Sequence, residues 1–311
     1  MKSTIGFLFP GQGSQSVGMG KALYESNPDI PALYQDAKQV LGYDVGALCF
    51  DGPVEQLNQT EFTQPALLVT SLAVFQIVQD GPLIPAAVAG HSLGEYTALV
   101  AAGAIKFREA VSLVQKRGQY MSEAVSPGSG LVAAVLGLSE LEVTAVCKEA
   151  EVLGIVAPAN LNSPGQTVIA GEKGAVERAL EIAKARGAKR VKALPVSVPV
   201  HTPLMQSAAD RLKNEIDVLD WSDLRVPLIN NVDAKALRTS MEVRESLVRQ
   251  LPSSVRWQET IQTMSAMGIT NFIEIGPGKV LTGLVKRIVP EATTWNIFDQ
   301  ESYDHVLAHV A

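Results

Sequence analysis

The chain has 311 residues, 47% of them hydrophobic and 19% charged, with a formal net charge of -6. That composition excludes an intrinsically disordered chain and is long enough to bury a sizeable core in one large domain or two smaller ones. Its acidic balance argues against nucleic-acid binding, which needs a basic surface to neutralise phosphates.

Two cysteines, Cys49 and Cys147, are too few for a disulfide scaffold and match no zinc spacing, so they read as reduced, buried thiols. The first ten residues lack the long apolar stretch and small-residue cleavage site of a signal peptide. No window approaches the roughly 18 uncharged apolar residues of a membrane span. A cytoplasmic protein with no membrane association is expected.

In chain order, the apolar run 5–9 reads as a buried strand and leads into a glycine-containing loop. A helix is expected over 64–79, a strand over 86–89, and helices over 95–102 and 107–125. Later come a helix over 204–219, strands over 228–230 and 271–275, and a helix over 280–289. Buried strands alternating with helices predict an α/β fold with a mainly parallel sheet.

The middle of the chain has a different rhythm. Strands are expected over 131–136, 154–161, 166–170 and 188–194, with helices over 140–150 and 174–186 and a turn at Asn162-Ser163-Pro164-Gly165. The order β-α-β-β-α-β is that of a ferredoxin-like unit. It predicts a small subdomain over 128–197, inserted into a larger hydrolase-like one made of 1–127 and 198–311.

The run Gly90-His91-Ser92-Leu93-Gly94 has the Gly-x-Ser-x-Gly pattern of a nucleophile elbow, between an expected strand and an expected helix. Ser92 is the candidate nucleophile. At a helix N-terminus, backbone N–H groups and the dipole favour developing negative charge.

A base must come from four histidines. His305 and His309 lie in the last helix and read as solvated, and His91 points away from its neighbour Ser92. His201 precedes Thr202 and Pro203, an N-cap and a first helical residue, so the helix field there keeps its ring neutral and basic. No carboxylate stands out as its partner. Asp233 and Glu274 are both arguable by position, and a backbone carbonyl can orient a base as well.

Arg117 falls on the apolar stripe of the 107–125 helix, with Ala110, Val114, Met121 and Ala124. A buried guanidinium needs an anion, either an internal carboxylate or one supplied by a substrate. The loop Pro10-Gly11-Gln12-Gly13 is no dinucleotide fingerprint, because Ser16 stands where the third glycine is required. Gly278-Lys279 is no P-loop, since Ile273 and Val280 break its pattern. If Ser92 is acylated, the first loop can offer the Gln12 N–H to an oxyanion, beside that of Leu93.

Taken together, FPGQGSQ (9–15), TQPAL (63–67), GHSLGEY (90–96), KRG (116–118), NSPGQ (162–166), PVSVPVH (195–201), VRQL (248–251) and EIGPGKVL (274–281) resemble the bacterial malonyl-CoA:acyl carrier protein transacylases of type II fatty acid synthesis. The motifs span nearly the whole chain, in that family's order. Val200 is a departure, where the family often has serine. The resemblance implies Ser92 as nucleophile, His201 as base, and the Gln250 backbone carbonyl in place of a triad acid. Gln12 and Leu93 would form the oxyanion hole, Arg117 would bind the malonyl carboxylate, and Met121 and Asn162 would line the pocket.

It further implies transfer from malonyl-CoA to the phosphopantetheine thiol of acyl carrier protein, with no metal or bound cofactor and as a monomer. An acidic carrier would need a local basic patch, for which Lys189, Arg190, Lys192, Lys279, Lys286 and Arg287 are candidates. A thioesterase or esterase with the same serine and histidine is a second reading. An acyltransferase serving a polyketide synthase or a malonate decarboxylase is a third.

Overall fold

The computed structural model describes residues 4–194, 196 and 198–310. Pro195 and Ser197, within the PVSVPVH motif and at the expected subdomain boundary, lie outside the described residues. Ten strands are present among those described: β1 (Ile5–Phe9), β2 (Pro85–Gly90), β3 (Gly130–Leu136), β4 (Val156–Ser163), β5 (Gln166–Glu172), β6 (Arg190–Ala193), β7 (Leu228–Ile229), β8 (Ala236–Leu237), β9 (Asn271–Ile275) and β10 (Thr293–Ile297).

Six strands form one sheet in the order β10-β9-β1-β2-β7-β8, parallel except for the antiparallel edge strand β8. All five residues of β1 are buried, as a central strand covered on both faces requires. Helix Thr60–Val78 packs on one face, with Leu67, Leu68 and Val69 fully buried. Trp257, Ile261 and Met264 of helix Trp257–Ala266 pack on the other with Phe272. The protein is therefore a mixed α/β structure with a mostly parallel sheet.

The helix expected over 64–79 starts four residues earlier. Pro65 suggests a first turn because it has no N–H to give, but it lies inside the helix. This helix also corrects the expectation that no segment resembles a membrane span. It has 19 residues, and its most apolar 18-residue window has a mean hydropathy of 1.3. Buried inside the protein is 72% of that window, so it serves as a core helix.

The second sheet has the order β4-β5-β3-β6 and is antiparallel throughout. Helices Glu140–Ala150 and Lys173–Ala185 cover one face, burying Val143, Val146, Val176 and Ala179 against Ala133, Val135 and Ile169. The first of these helices opens with a reciprocal capping box between Ser139 and Glu142. Alternation then sends Val132, Val168 and Ala170 to the opposite face, toward the nucleophile.

The expected turn at 162–165 is shorter. Ser163 pairs directly with Gln166, leaving Pro164 and Gly165 as a two-residue turn. Gly165 takes a φ of +69, which suits a type II turn after proline. Asn162 is thus a strand residue.

Candidate active site

β2 ends at Gly90, and the chain turns sharply into helix Gly94–Ala101. Ser92 sits at the apex with a φ of +51, a left-handed conformation that costs an L-residue about 1–2 kcal/mol. The flanking glycines are needed sterically. A Cβ on Gly90 would lie 1.9 Å from the carbonyl carbon of Gly94, and one on Gly94 would lie 2.0 Å from the Phe9 carbonyl oxygen. Gly11 lets the first loop close on the same turn, since its Cβ would meet the His91 carbonyl oxygen at 2.3 Å.

Asn231 holds the turn from behind. Its Oδ1 accepts from the Ser92 N–H at 2.7 Å, and its Nδ2 donates to the Gly90 carbonyl at 2.8 Å. The Ser92 hydroxyl is 2.7 Å from His201 Nε2. His201 Nδ1 lies 3.0 Å from the Gln250 carbonyl oxygen and 3.1 Å from that of Ser253. Carbonyls only accept, so Nδ1 carries the proton and the Nε2 lone pair faces Ser92. Burial, reinforced by the nearby Arg117 charge, pushes the His201 pKa down to about 3.

Neither carboxylate that position left open reaches this base. Asp233 pairs with Arg249 at 2.6 Å, and Glu274 caps helix Val280–Ile288 by accepting from the Leu281 and Thr282 N–H groups.

Arg117 is 1% exposed, and no carboxylate lies within ion-pairing distance among the described residues. Nη1 donates to Gln64 Oε1 at 2.7 Å, and Nη2 to Gln250 Oε1 at 2.9 Å and to Ser92 Oγ at 3.1 Å. Nε has no partner among the described residues, and the guanidinium lies 5.2 Å from the Tyr96 ring centre. Gly118 allows this approach: a Cβ there would meet the Glu61 Cα at 2.7 Å, so helices Phe107–Glu123 and Thr60–Val78 can touch. The result is a buried cation held by neutral amides, with donor capacity to spare.

A cavity of about 100 Å³ collects these groups. Gln12, Ser92, Leu93, Arg117, Met121 and His201 line it, with Val132 and Val168 from the second sheet opposite. The backbone N–H groups of Gln12 and Leu93 have no partner among the described residues. A second, larger cavity of about 460 Å³ adjoins it, sharing Gln12 and Val196.

Asn162 is not among the cavity's lining residues. Its Oδ1 lies 2.9 Å from His91 Nε2, while Asn160 lines the cavity instead. Register breaks between 158 and 160 and between 161 and 163 change the aim of this strand, and simple alternation does not register them. Among the described residues no cluster of three or more His, Cys, Asp or Glu could hold a metal ion.

A half-buried serine on an elbow, paired with a buried histidine and with free N–H groups and an unneutralised arginine beside it, is equipped for acyl chemistry. Residues 6–299 match the family model described as Acyl transferase domain, and the chain belongs to that family. It is 50% identical over 288 residues to the malonyl CoA-acyl carrier protein transacylase of Escherichia coli (strain K12), covering 92% of this chain and 93% of the relative. An acyl carrier protein S-malonyltransferase crystal structure from Vibrio cholerae superposes with a TM-score of 0.95 at 49% identity, covering 98% of this chain and 100% of that one. A malonyl-transacylase solved with its holo type II PKS acyl-carrier protein superposes with a TM-score of 0.96 at 46% identity, covering 98% and 99%.

The depressed His201 basicity gives a direct expectation. Histidine ¹⁵N NMR should find this ring neutral and protonated at Nδ1 down to about pH 5, because a lowered pKa favours the neutral form throughout that range. A midpoint near the ordinary 6.5 would contradict the buried, carbonyl-bound arrangement.

Proposed function

We propose that this protein transfers a malonyl group from malonyl-CoA to the phosphopantetheine thiol of acyl carrier protein, through a malonyl ester on Ser92. The observation that carries the reading is Arg117, a buried cation without a carboxylate partner, 3.1 Å from the Ser92 hydroxyl. Unlike a neutral acyl chain, a malonyl group brings the missing anion to that point.

Ser92 Oγ attacks the thioester carbonyl as its proton passes to His201 Nε2. The oxyanion is held by the Gln12 and Leu93 N–H groups. The C–S bond breaks, and the leaving thiolate takes the proton from His201. The carrier thiol then gives its proton to His201 and attacks the ester carbonyl, and Ser92 leaves as alkoxide and recovers that proton. His201 stays oriented by the Gln250 carbonyl throughout. His201 handles all four proton transfers, so the scheme requires no metal or organic cofactor.

We read 128–197 as the inserted ferredoxin-like subdomain and 1–127 with 198–311 as the hydrolase-like one, with the acyl site in the cleft between and Met121 along its wall. The adjoining 460 Å³ cavity supports entry of the pantetheine arm beside Gln12. Asn160 takes the pocket position that the family motif suggests for Asn162.

Carrier docking is proposed at the basic residues around the Pro164–Gly165 turn. Lys189 packs over Gly137, whose N–H donates to the Gly165 carbonyl at 2.8 Å, and Arg287 donates to Gln166. Arg190 and Lys192 are exposed on β6, and Lys279 and Lys286 on or beside the helix that carries Arg287. None of the six pairs with a carboxylate among the described residues, so each is available to an acidic partner.

Arg117→Ala is expected to lower malonyl transfer by about 100-fold or more while acetyl transfer falls far less, the scale of a lost charge-assisted pair. Equal losses in a steady-state assay with both thioesters would contradict the carboxylate role. Arg190→Glu with Lys192→Glu should raise the KM for carrier protein several-fold and leave that for malonyl-CoA unchanged. An unchanged carrier KM would remove β6 from the docking surface.

A further inference from the structure

Glu95 is a buried carboxylate that the acyl-transfer steps do not use. It sits in the first turn of helix Gly94–Ala101, three residues past the nucleophile, and is fully buried. Oε2 accepts from Gln250 Nε2 at 3.0 Å and from the Asn231 N–H at 3.0 Å, while Oε1 has no partner among the described residues. Burial pushes its pKa up to about 7, opposed by those two donors and by the Arg117 charge. The other charged side chains acting on it are Asp233, which disfavours the anion, and Arg249, which favours it.

One amide links Glu95 to the acyl site. Gln250 Nε2 donates to Glu95 and also to the Ser92 carbonyl at 3.0 Å, and its Oε1 accepts from Arg117 at 2.9 Å. All three contacts require the same amide orientation. A carboxylate and a carbonyl only accept, and a guanidinium only donates. Rotating the amide by half a turn would set oxygen against oxygen on one side and N–H against N–H on the other. Glu95 also meets the Asn231 backbone, and the Asn231 side chain ties the elbow at Ser92 and Gly90.

We propose that Glu95 is a positioning residue for acyl selection: acting through the Gln250 amide, it is the distant counter-charge that orients Arg117 without occupying it. A carboxylate in direct contact would neutralise the guanidinium and compete with the substrate's anion. One amide away, Glu95 fixes the fork and leaves its donors open. The inference rests on the reading of Arg117 as the receptor for a carboxylate on the acyl group.

The test compares Glu95→Gln, Glu95→Asp and Arg117→Ala in steady-state transfer of malonyl and acetyl groups from their CoA thioesters, with thermal melting for each variant. Glu95→Gln removes the charge at constant shape and leaves only the Ser92 carbonyl and Arg117 to hold the Gln250 amide. It should lower the malonyl-to-acetyl ratio of kcat/KM by about tenfold, the scale of one misplaced hydrogen bond to a charged group, mostly through the malonyl KM. Glu95→Asp keeps the charge and should retain most of the ratio.

An unchanged or increased ratio in Glu95→Gln overturns the proposal, as does an equal loss of both activities with a lowered Tm, which marks a structural role only. If Glu95→Gln is insoluble, Gln250→Met cuts the same link while keeping the backbone carbonyl for His201. It must then show the selective loss, and retention of the ratio overturns the proposal. Arg117→Ala separates the two ideas. If it keeps the ratio, the reading of Arg117 fails; if it loses the ratio while Glu95→Gln keeps it, only the role of Glu95 fails.

Discussion

The active centre depends on one costly backbone conformation, the left-handed turn at Ser92. Unsupported, such a residue relaxes, so the surrounding structure must determine it. Three contacts do so: Gly90 against Gly94, Gly94 against the Phe9 carbonyl, and the Asn231 amide across the turn. Holding Ser92 there puts its hydroxyl on His201 and leaves the Leu93 N–H beside it without a partner among the described residues. His201 is itself left-handed, with a φ of +61, so the proposed nucleophile and base both sit on strained backbone. The parallel sheet makes this affordable, because β1 and β2 deliver the Gly11 loop and the elbow to the same edge in fixed register.

Charge placement is the second constraint. The cluster around Ser92 contains one permanent cation, Arg117, one buried carboxylate, Glu95, whose pKa burial raises to about 7, and a base that burial keeps uncharged. A carboxylate behind His201 would add an anion to the volume proposed to receive the malonyl carboxylate. Two backbone carbonyls orient the ring equally well and carry no net charge. The unusual triad and the open arginine therefore answer the same electrostatic requirement.

Much of this was legible in the residues. The elbow, His201, and Arg117 on an apolar stripe all follow from local pattern, and the structure brings the three within hydrogen-bond distance. Strands β1 and β9 match their apolar runs residue for residue. What stayed hidden depends on distant partners. Asn231 follows an apolar run in an Asn-Asn pair and reads as an ordinary turn, since nothing local shows that Ser92 lies across from it. Glu95 in a first helical turn reads as a solvated dipole partner. Only the fold shows that it is buried under Gln250. Asn162 comes from the motif resemblance, and no local pattern shows that the register breaks in β4 bring Asn160 to the cavity wall.

In the proposed cycle Ser92 carries the acyl group between two thiols. Intact-mass and peptide-mapping spectrometry of the enzyme after mixing with malonyl-CoA tests it most directly. One malonyl adduct is expected, located on the Ser92 peptide, stable in buffer and discharged when phosphopantetheinylated carrier protein is added. An adduct on another residue, or one that water removes as fast as the carrier does, would contradict it.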